Sequence, residues 1–343
     1  MKEKLTRALH NKEASVLIIL IAVMIIATIF NPKFLSFVNM MDVLKSNSVL
    51  GICALGMLLI ILTGGIDASV CGCLALVTVL TGQLAKTTGF DNIPLLYVMG
   101  VAIGGVVGMA NGLLVSYLEL PPIIATLGVN SVIMGFIKYY TNGTWINNLP
   151  AKIGNFGLYK FFAYTDAAGS VIGLPVQLAL YALMCLLTWF LLKRTMLGRS
   201  IMAMGGNPVS AARIGLKTKR LTTFAYVFAG MMYGFAGITY TGIMKCVDPN
   251  AFLGFEMDVI GAVVLGGALM TGGQGSVLGT FLGMLLFAFI SNGLTLARIS
   301  TYWQSIIVGV IILLAVSFDM FKLHREERLQ TKVDIEAKEA AAE

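Results

Sequence analysis

Along this chain apolar residues are gathered into long runs, separated by breaks that are short, glycine-rich or charged. Each run approaches the roughly 20 residues that carry a helix across a hydrocarbon core. Runs at residues 14–30, 44–62, 68–85, 94–117, 122–140, 171–192, 221–243, 257–270, 276–294 and 302–321 predict ten crossings. The eighth is short and glycine-rich, so it reads as a broken or re-entrant segment as readily as a full helix; irregular backbone is tolerated at depth where protein or a water-filled cavity covers it. A weakly charged loop at 141–170 precedes the sixth run. The expected fold is all-α: a polytopic membrane protein of about ten transmembrane helices. Its parts are a tail at 1–13, a membrane domain at 14–321 and a charged tail at 322–343.

Positive charge orients these runs. Lys2, Lys4, Arg7 and Lys12 precede the first, and Lys322, Arg325 and Arg328 follow the last. The loop at 193–220 holds Lys193, Arg194, Arg199, Arg213, Lys217, Lys219 and Arg220 with no acidic residue. The positive-inside rule puts all three clusters in the cytoplasm, and ten crossings satisfy every one. Both termini are therefore expected to be cytoplasmic. The first run leads into NPKFLSF with no small-residue cleavage site, so it is expected to stay as an anchor.

Composition supports this class and excludes others. Hydrophobic residues make up 57% of the 343 and charged residues 12%, with a mean hydropathy of +0.87, far from a soluble globule. The net charge of +7 sits in three topological clusters, which argues for lipid and against nucleic acid as a partner. Cys53, Cys71, Cys73, Cys185 and Cys246 lie in or beside apolar runs and show neither disulfide nor metal spacing. No phosphate-binding G-x-x-x-x-G-K-[ST] loop and no H-E-x-x-H occurs, and His10 and His324 lie in the tails. No cofactor is expected on this chain. The buried carboxylates, histidines and lysines of a proton relay are missing too, so another subunit has to supply the energy.

Glycines recur at four-residue spacing: Gly100, Gly104, Gly108 and Gly112; Gly230 and Gly234; Gly275, Gly279 and Gly283. Such stripes let helices approach closely in lipid. Asp67 follows the helix-breaking Thr63-Gly64-Gly65, so TGGIDASVCG is either a discontinuous helix lining a pathway or the turn between two helices. Glu256 and Asp258 start the eighth run, expected near the outer face as a solvated helix N-terminus. TGGQGSVLG at 271–279 echoes the TGGID stretch. The segment GRSIMAMGGNPVSAARIG at 198–215 is polar, basic and glycine-punctuated, and reads as a docking handle.

Four ordered stretches carry a family resemblance: TGGIDASV at 63–70, NGLLVSYLELPPIIATLG at 111–128, GRSIMAMGGNPVSAARIGL at 198–216, and DVIGAVVLGGALMTGGQGSVLGT at 258–280. Together they resemble the bacterial ABC sugar permeases of the ribose, xylose and autoinducer-2 type, over residues 49–319. One departure is that the family's usual TGGIDLSVG appears here with Ala68 and Cys71. The resemblance implies a permease without a nucleotide site of its own, in the bacterial inner membrane. It implies three partners: a cytoplasmic ABC ATPase holding ATP and Mg, a second permease chain, identical or paralogous, and an extracytoplasmic sugar-binding protein. It also makes 208–214 a coupling helix, entered through Gly205, Gly206 and Asn207. Pro208 at its first position and Gly215 beyond its end are the expected punctuation. Arg199 and Arg213 are candidates to pair with the ATPase, and the small Ala211 and Ala212 to seat in its groove. Thr63, Asp67, Ser69 and Asn111 are the candidates for passing hydrogen bonds to a sugar. The competing class is a secondary transporter or channel for a small polar solute, which would leave the basic loop without a partner.

Overall fold

The computed structural model describes residues 12–165, 171–311, 313–314 and 317. Residues 1–11 and 322–343, with His10 and His324, and the far end of the tenth run lie outside the described residues. Helix α1 (Lys12–Phe30) leads through a 3-10 turn at Pro32–Leu35 into α2 (Phe37–Leu62), where the Ser36 hydroxyl caps the first turn by accepting the Asn39 N–H. Helices α3 (Val70–Thr88), α4 (Ile93–Ser116) and α5 (Pro122–Thr141) follow. Gly89 ends α3 in the left-handed conformation, and Asn92 caps α4 ahead of Pro94.

The stretch after α5 is more ordered than its composition predicts. It forms a short helix, α6 (Ala151–Leu158), and an antiparallel hairpin of β1 (Lys160–Thr165) and β2 (Val171–Pro175). The sixth crossing, α7 (Val176–Arg194), therefore starts five residues later than its hydropathy implies, because Val171–Pro175 pairs as a strand and Pro175 caps the helix. An otherwise helical chain thus carries a two-stranded ribbon at one end of the bundle.

Two short helices occupy the basic loop: α8 (Met196–Gly206) and α9 (Pro208–Arg213). Helices α10 (Thr218–Met244), α11 (Phe255–Leu265), α12 (Val277–Leu296) and α13 (Thr301–Ile311) complete the described chain. Among the described residues, eight helices (α1–α5, α7, α10 and α12) are long and apolar enough to cross a membrane. The eighth expected crossing is broken: α11 has 11 residues, with Gly254 before it and Gly267 after it, both at positive φ.

Packing centres on α2 and α10. Residues from Ile52 to Leu62 of α2 are sealed from solvent, and 78% of its membrane-length window is buried against 11% for α1. The glycine stripes explain how the centre closes. A methyl added to Gly104 would fall on the carbonyl oxygen of Gly230, one on Gly234 on that of Gly100, and one on Gly108 on that of Tyr226. Helices α4 and α10 therefore touch backbone to backbone, which lets dispersion act where lipid offers no hydrophobic drive. The third stripe does the same for α12, with Gly279 against Gly266 and Gly283 against Ala262 of α11.

Candidate translocation and coupling site

The break after α2 arises because Gly64 turns at φ 79° and the chain then runs irregularly to Ser69. Deep in the bundle, that leaves the first N–H groups of α3 without helical partners. Side chains answer them: Asp67 Oδ1 accepts the Ser69 N–H at 2.7 Å, Thr126 Oγ1 the Ala68 N–H at 3.0 Å, and Asn130 Oδ1 the Gly72 N–H at 2.7 Å. Asn111 donates to the Ser69 hydroxyl at 2.6 Å. Asp67, Ser69 and Asn111 thus meet in one polar knot that ties α3 to α4 and α5. All three are sealed from solvent, with at most 1% of their surface exposed, while Thr63 is half-buried at the rim. The knot is not saturated: Asn111 Oδ1 lacks a partner among the described residues.

The sequence echo is a spatial meeting. Gly273 N–H donates to the carbonyl of Leu62, the last residue of α2, at 3.0 Å. Gly272 packs against Gly64 and against Gly205 of α8, and a methyl on Gly205 would land on the Leu62 carbonyl. The two TGG turns and the end of α8 thus close on one another through backbone alone. This junction was not visible in the spacing of the motifs. Its signal was the shared demand for glycine in three places.

The basic loop departs from expectation in two respects. Gly205 and Gly206 are the last turn of α8 and not the entry turn; the junction is Asn207 alone, whose side chain accepts the Ser210 N–H at 2.9 Å and caps α9. Ala211 is buried at 3% exposure and belongs to the core, so it cannot be part of a docking surface; residue 211 faces the bundle when 209 and 212–214 face outward. Val209 (61% exposed) and Ile214 (76%) join exposed Ala212 and Arg213 in an apolar patch with a basic edge. Arg199 is exposed on α8, and Gly215 closes the loop at φ 87°. Beside it Lys219 pairs with Glu119 at 2.8 Å, and that hydrogen bond, with the lysine's charge behind it, holds the Glu119 carboxyl below its ordinary range.

Glu256 and Asp258 do start a helix, in the first turn of α11 as expected, but the depth of Glu256 differs from the expected outer position. Cys71 Sγ donates to Glu256 Oε2 at 2.6 Å, so the residue in the place of the family's glycine fills its space by bonding a carboxylate. Cys73, half a turn on, lies 4.0 Å from the Gly230 carbonyl, twelve residues into the 27-residue α10. At 1.5 Å per residue that is about 18 Å along a helix of about 40 Å. Glu256 and Asp258, both partly exposed, therefore sit near mid-height of the bundle.

A broken helix at mid-height and a second at the opposite side of the same junction are thus joined by α8, which rests on both turns. Comparison with known proteins agrees. Residues 39–316 match the family model described as the branched-chain amino acid transport system / permease component. The chain belongs to that permease family. It is 34% identical to the ribose import permease protein of Escherichia coli strain K12 over 316 residues, covering 92% of this chain and 95% of that one. Its identity to the ribose import permease protein of Bacillus subtilis strain 168 is 37% over 303 residues, 88% and 91% of the two chains. With the D-allose transport system permease protein of Escherichia coli strain K12 it shares 32% over 309 residues, 90% and 91%. No solved structure was found to match. The family member is thus a multi-pass membrane permease, as its eight long apolar helices require.

Proposed function

We propose that this chain is the membrane subunit of an ABC importer that moves a monosaccharide or similar small polyol across the bacterial inner membrane without chemistry on the sugar. The observation that carries the reading is near-full-length similarity to permeases named for ribose, galactose and allose, spanning 88 to 93% of the chain. In this reading both termini, α8 and α9 are cytoplasmic, by the positive-inside rule. An ATPase subunit, which holds ATP and Mg, grips the Val209, Ala212, Arg213 and Ile214 face, with Arg199 close by. A second permease chain covers the open flank, and an extracytoplasmic sugar-binding protein delivers the substrate and sets specificity.

The contacts support a mechanism. Closure of the ATPases moves α9; α9 is joined to α8 through Asn207, and α8 rests by Gly205 on both TGG turns. A shift of these turns unlocks the polar knot, and Thr63, Asp67, Ser69 and Asn111 then offer passing hydrogen bonds to the sugar. In the conformation described, Asp67, Ser69 and Asn111 of the knot are sealed from solvent.

Reconstitution tests the reading. Proteoliposomes with the partner subunits should accumulate labelled sugar only with ATP on the ATPase side and binding protein on the other, and Asp67→Asn should lower uptake while leaving membrane insertion intact. Uptake without ATPase would instead mark a secondary transporter or channel. Orientation has its own check: a cysteine at exposed Asn155 should react with an impermeant external reagent, and one at Pro208 should not. Reversed labelling overturns the cytoplasmic placement of α8 and α9.

A further inference from the structure

Between the end of α2, the end of α4 and the first turns of α10 lies a cavity of about 300 Å³. That is the lower end of the range of about 300 to 1,000 Å³ found for small-ligand sites. Five hydroxyl side chains line it, those of Thr63, Ser116, Thr218, Thr222 and Tyr226, and the one charged lining residue is Lys219. The lysine's charge is answered by Glu119 at 2.8 Å, so the cavity is close to neutral. Two of the hydroxyls are under-used. Thr222 reaches only the Met204 sulfur, at 3.9 Å, and Tyr226 reaches the Ile66 carbonyl at a long 3.5 Å.

This chemistry selects among ligands. A phosphate or carboxylate would need an unanswered cation, and Lys219 is already paired. An acyl chain would leave hydroxyls facing hydrocarbon, which costs free energy; the apolar crevice of about 610 Å³ between α4 and α5, with no hydroxyl or charged side chain in its lining, suits a lipid far better. A neutral ring with several hydroxyls can donate to and accept from the under-used groups at once. The position adds a second argument. Thr63, Gly64 and Gly65 form one wall, and the Tyr226 hydroxyl touches Ile66, the residue before Asp67, so the cavity lies directly beneath the sealed knot. Exposed Lys219 stands on its rim, at the end of the bundle that carries α8 and α9.

We infer that this cavity is a second, cytoplasm-facing binding site for the transported monosaccharide, filled by sugar leaving the knot and by sugar already in the cytoplasm. The inference rests on the importer reading above. Its test uses the assembled complex in inside-out vesicles, with Thr222→Cys and, at the mouth, Thr218→Cys as separate variants and wild-type labelling as the baseline. The probe is whichever of D-ribose, D-galactose and D-allose the wild-type complex imports. At ten times its dissociation constant the probe should slow modification of the new cysteine by a charged thiol reagent about tenfold by mass action. Inorganic phosphate should not. Unchanged labelling at both positions by a sugar that is imported removes the site and leaves the importer standing. Protection by phosphate makes the cavity an anion site and overturns the inference as well. A wild-type complex that shows no ATP-dependent uptake of any monosaccharide or small polyol removes the importer reading, and this site with it. If Thr222→Cys fails to assemble, Thr218→Cys decides alone.

Discussion

Gly104→Ala is expected to lower the folded yield and the thermal midpoint of the permease sharply, whereas Gly128→Ala should leave both unchanged or slightly raised. The two changes add the same methyl. At Gly104 it falls on the Gly230 carbonyl and beside the Gly234 nitrogen, both backbone atoms that no rotamer can move aside; at Gly128 nothing lies within 4 Å. Helix α4 must then back away from α10, and the contacts that Gly100, Gly108 and Gly112 make along the same seam loosen together. Overfilling a packed site typically costs about 1 to 3 kcal/mol, and more when backbone has to shift. Removing a helical glycine in open space instead gains up to about 1 kcal/mol. Thermal unfolding of the two variants in one detergent measures both signs. Equal midpoints would mean that the stripe does not hold α4 against α10.

How much of this was legible in the chain depends on the range of the interaction concerned. The crossings are local: an apolar run about 20 residues long is a helix in lipid whatever its neighbours do. Glycine stripes named the close-packed faces as well, since their period belongs to one helix. The hairpin was not legible, because FFAYT lies in the stretch read as a loop and VIGLP is apolar enough to pass for membrane sequence, and only their pairing makes them strands. Ala211 and Ala212 are indistinguishable by type; which one faces the core is set by how α9 lies on the bundle. Glu256 was misplaced by the same blindness. Counting inward from a loop puts it near a surface, but the chain between Met244 and Phe255 carries it down to Cys71 near mid-height.

The junction of Gly205 with the two TGG turns turns a list of motifs into one device. Three of the four stretches that carry the family resemblance, those with Gly64, Gly205 and Gly272, supply backbone to a single contact. The remaining one supplies Asn111 and Thr126, which hold Ser69 and Ala68 in the knot above. Motifs far apart in sequence are therefore linked by touch, and motion of α8 has no soft side chain in which to be absorbed.

Two variants of the handle should fail in different ways. Val209→Asp with Ile214→Asp places charge on a patch that is exposed in the permease alone, so insertion and thermal stability should stay close to wild type. In the assembled importer the same patch is the proposed seat of the ATPase, and an unpaired carboxylate there should weaken the complex by about 2 kcal/mol or more, as at interface hot spots, or about thirtyfold. Copurification of the ATPase, hydrolysis and uptake should fall together. Gly205→Val leaves the patch untouched but drives a side chain into the Leu62 carbonyl and the Gly273 amide. Folded yield should fall here as it does at Gly104, but in the fraction that folds the ATPase should still copurify and hydrolyse ATP while uptake is lost, because the handle no longer sits on the turns it moves. Measuring complex formation, hydrolysis and uptake on both variants separates gripping from transmission. An intact complex in the double aspartate variant would place the ATPase elsewhere, and full uptake in Gly205→Val would show that force reaches the membrane helices by another contact.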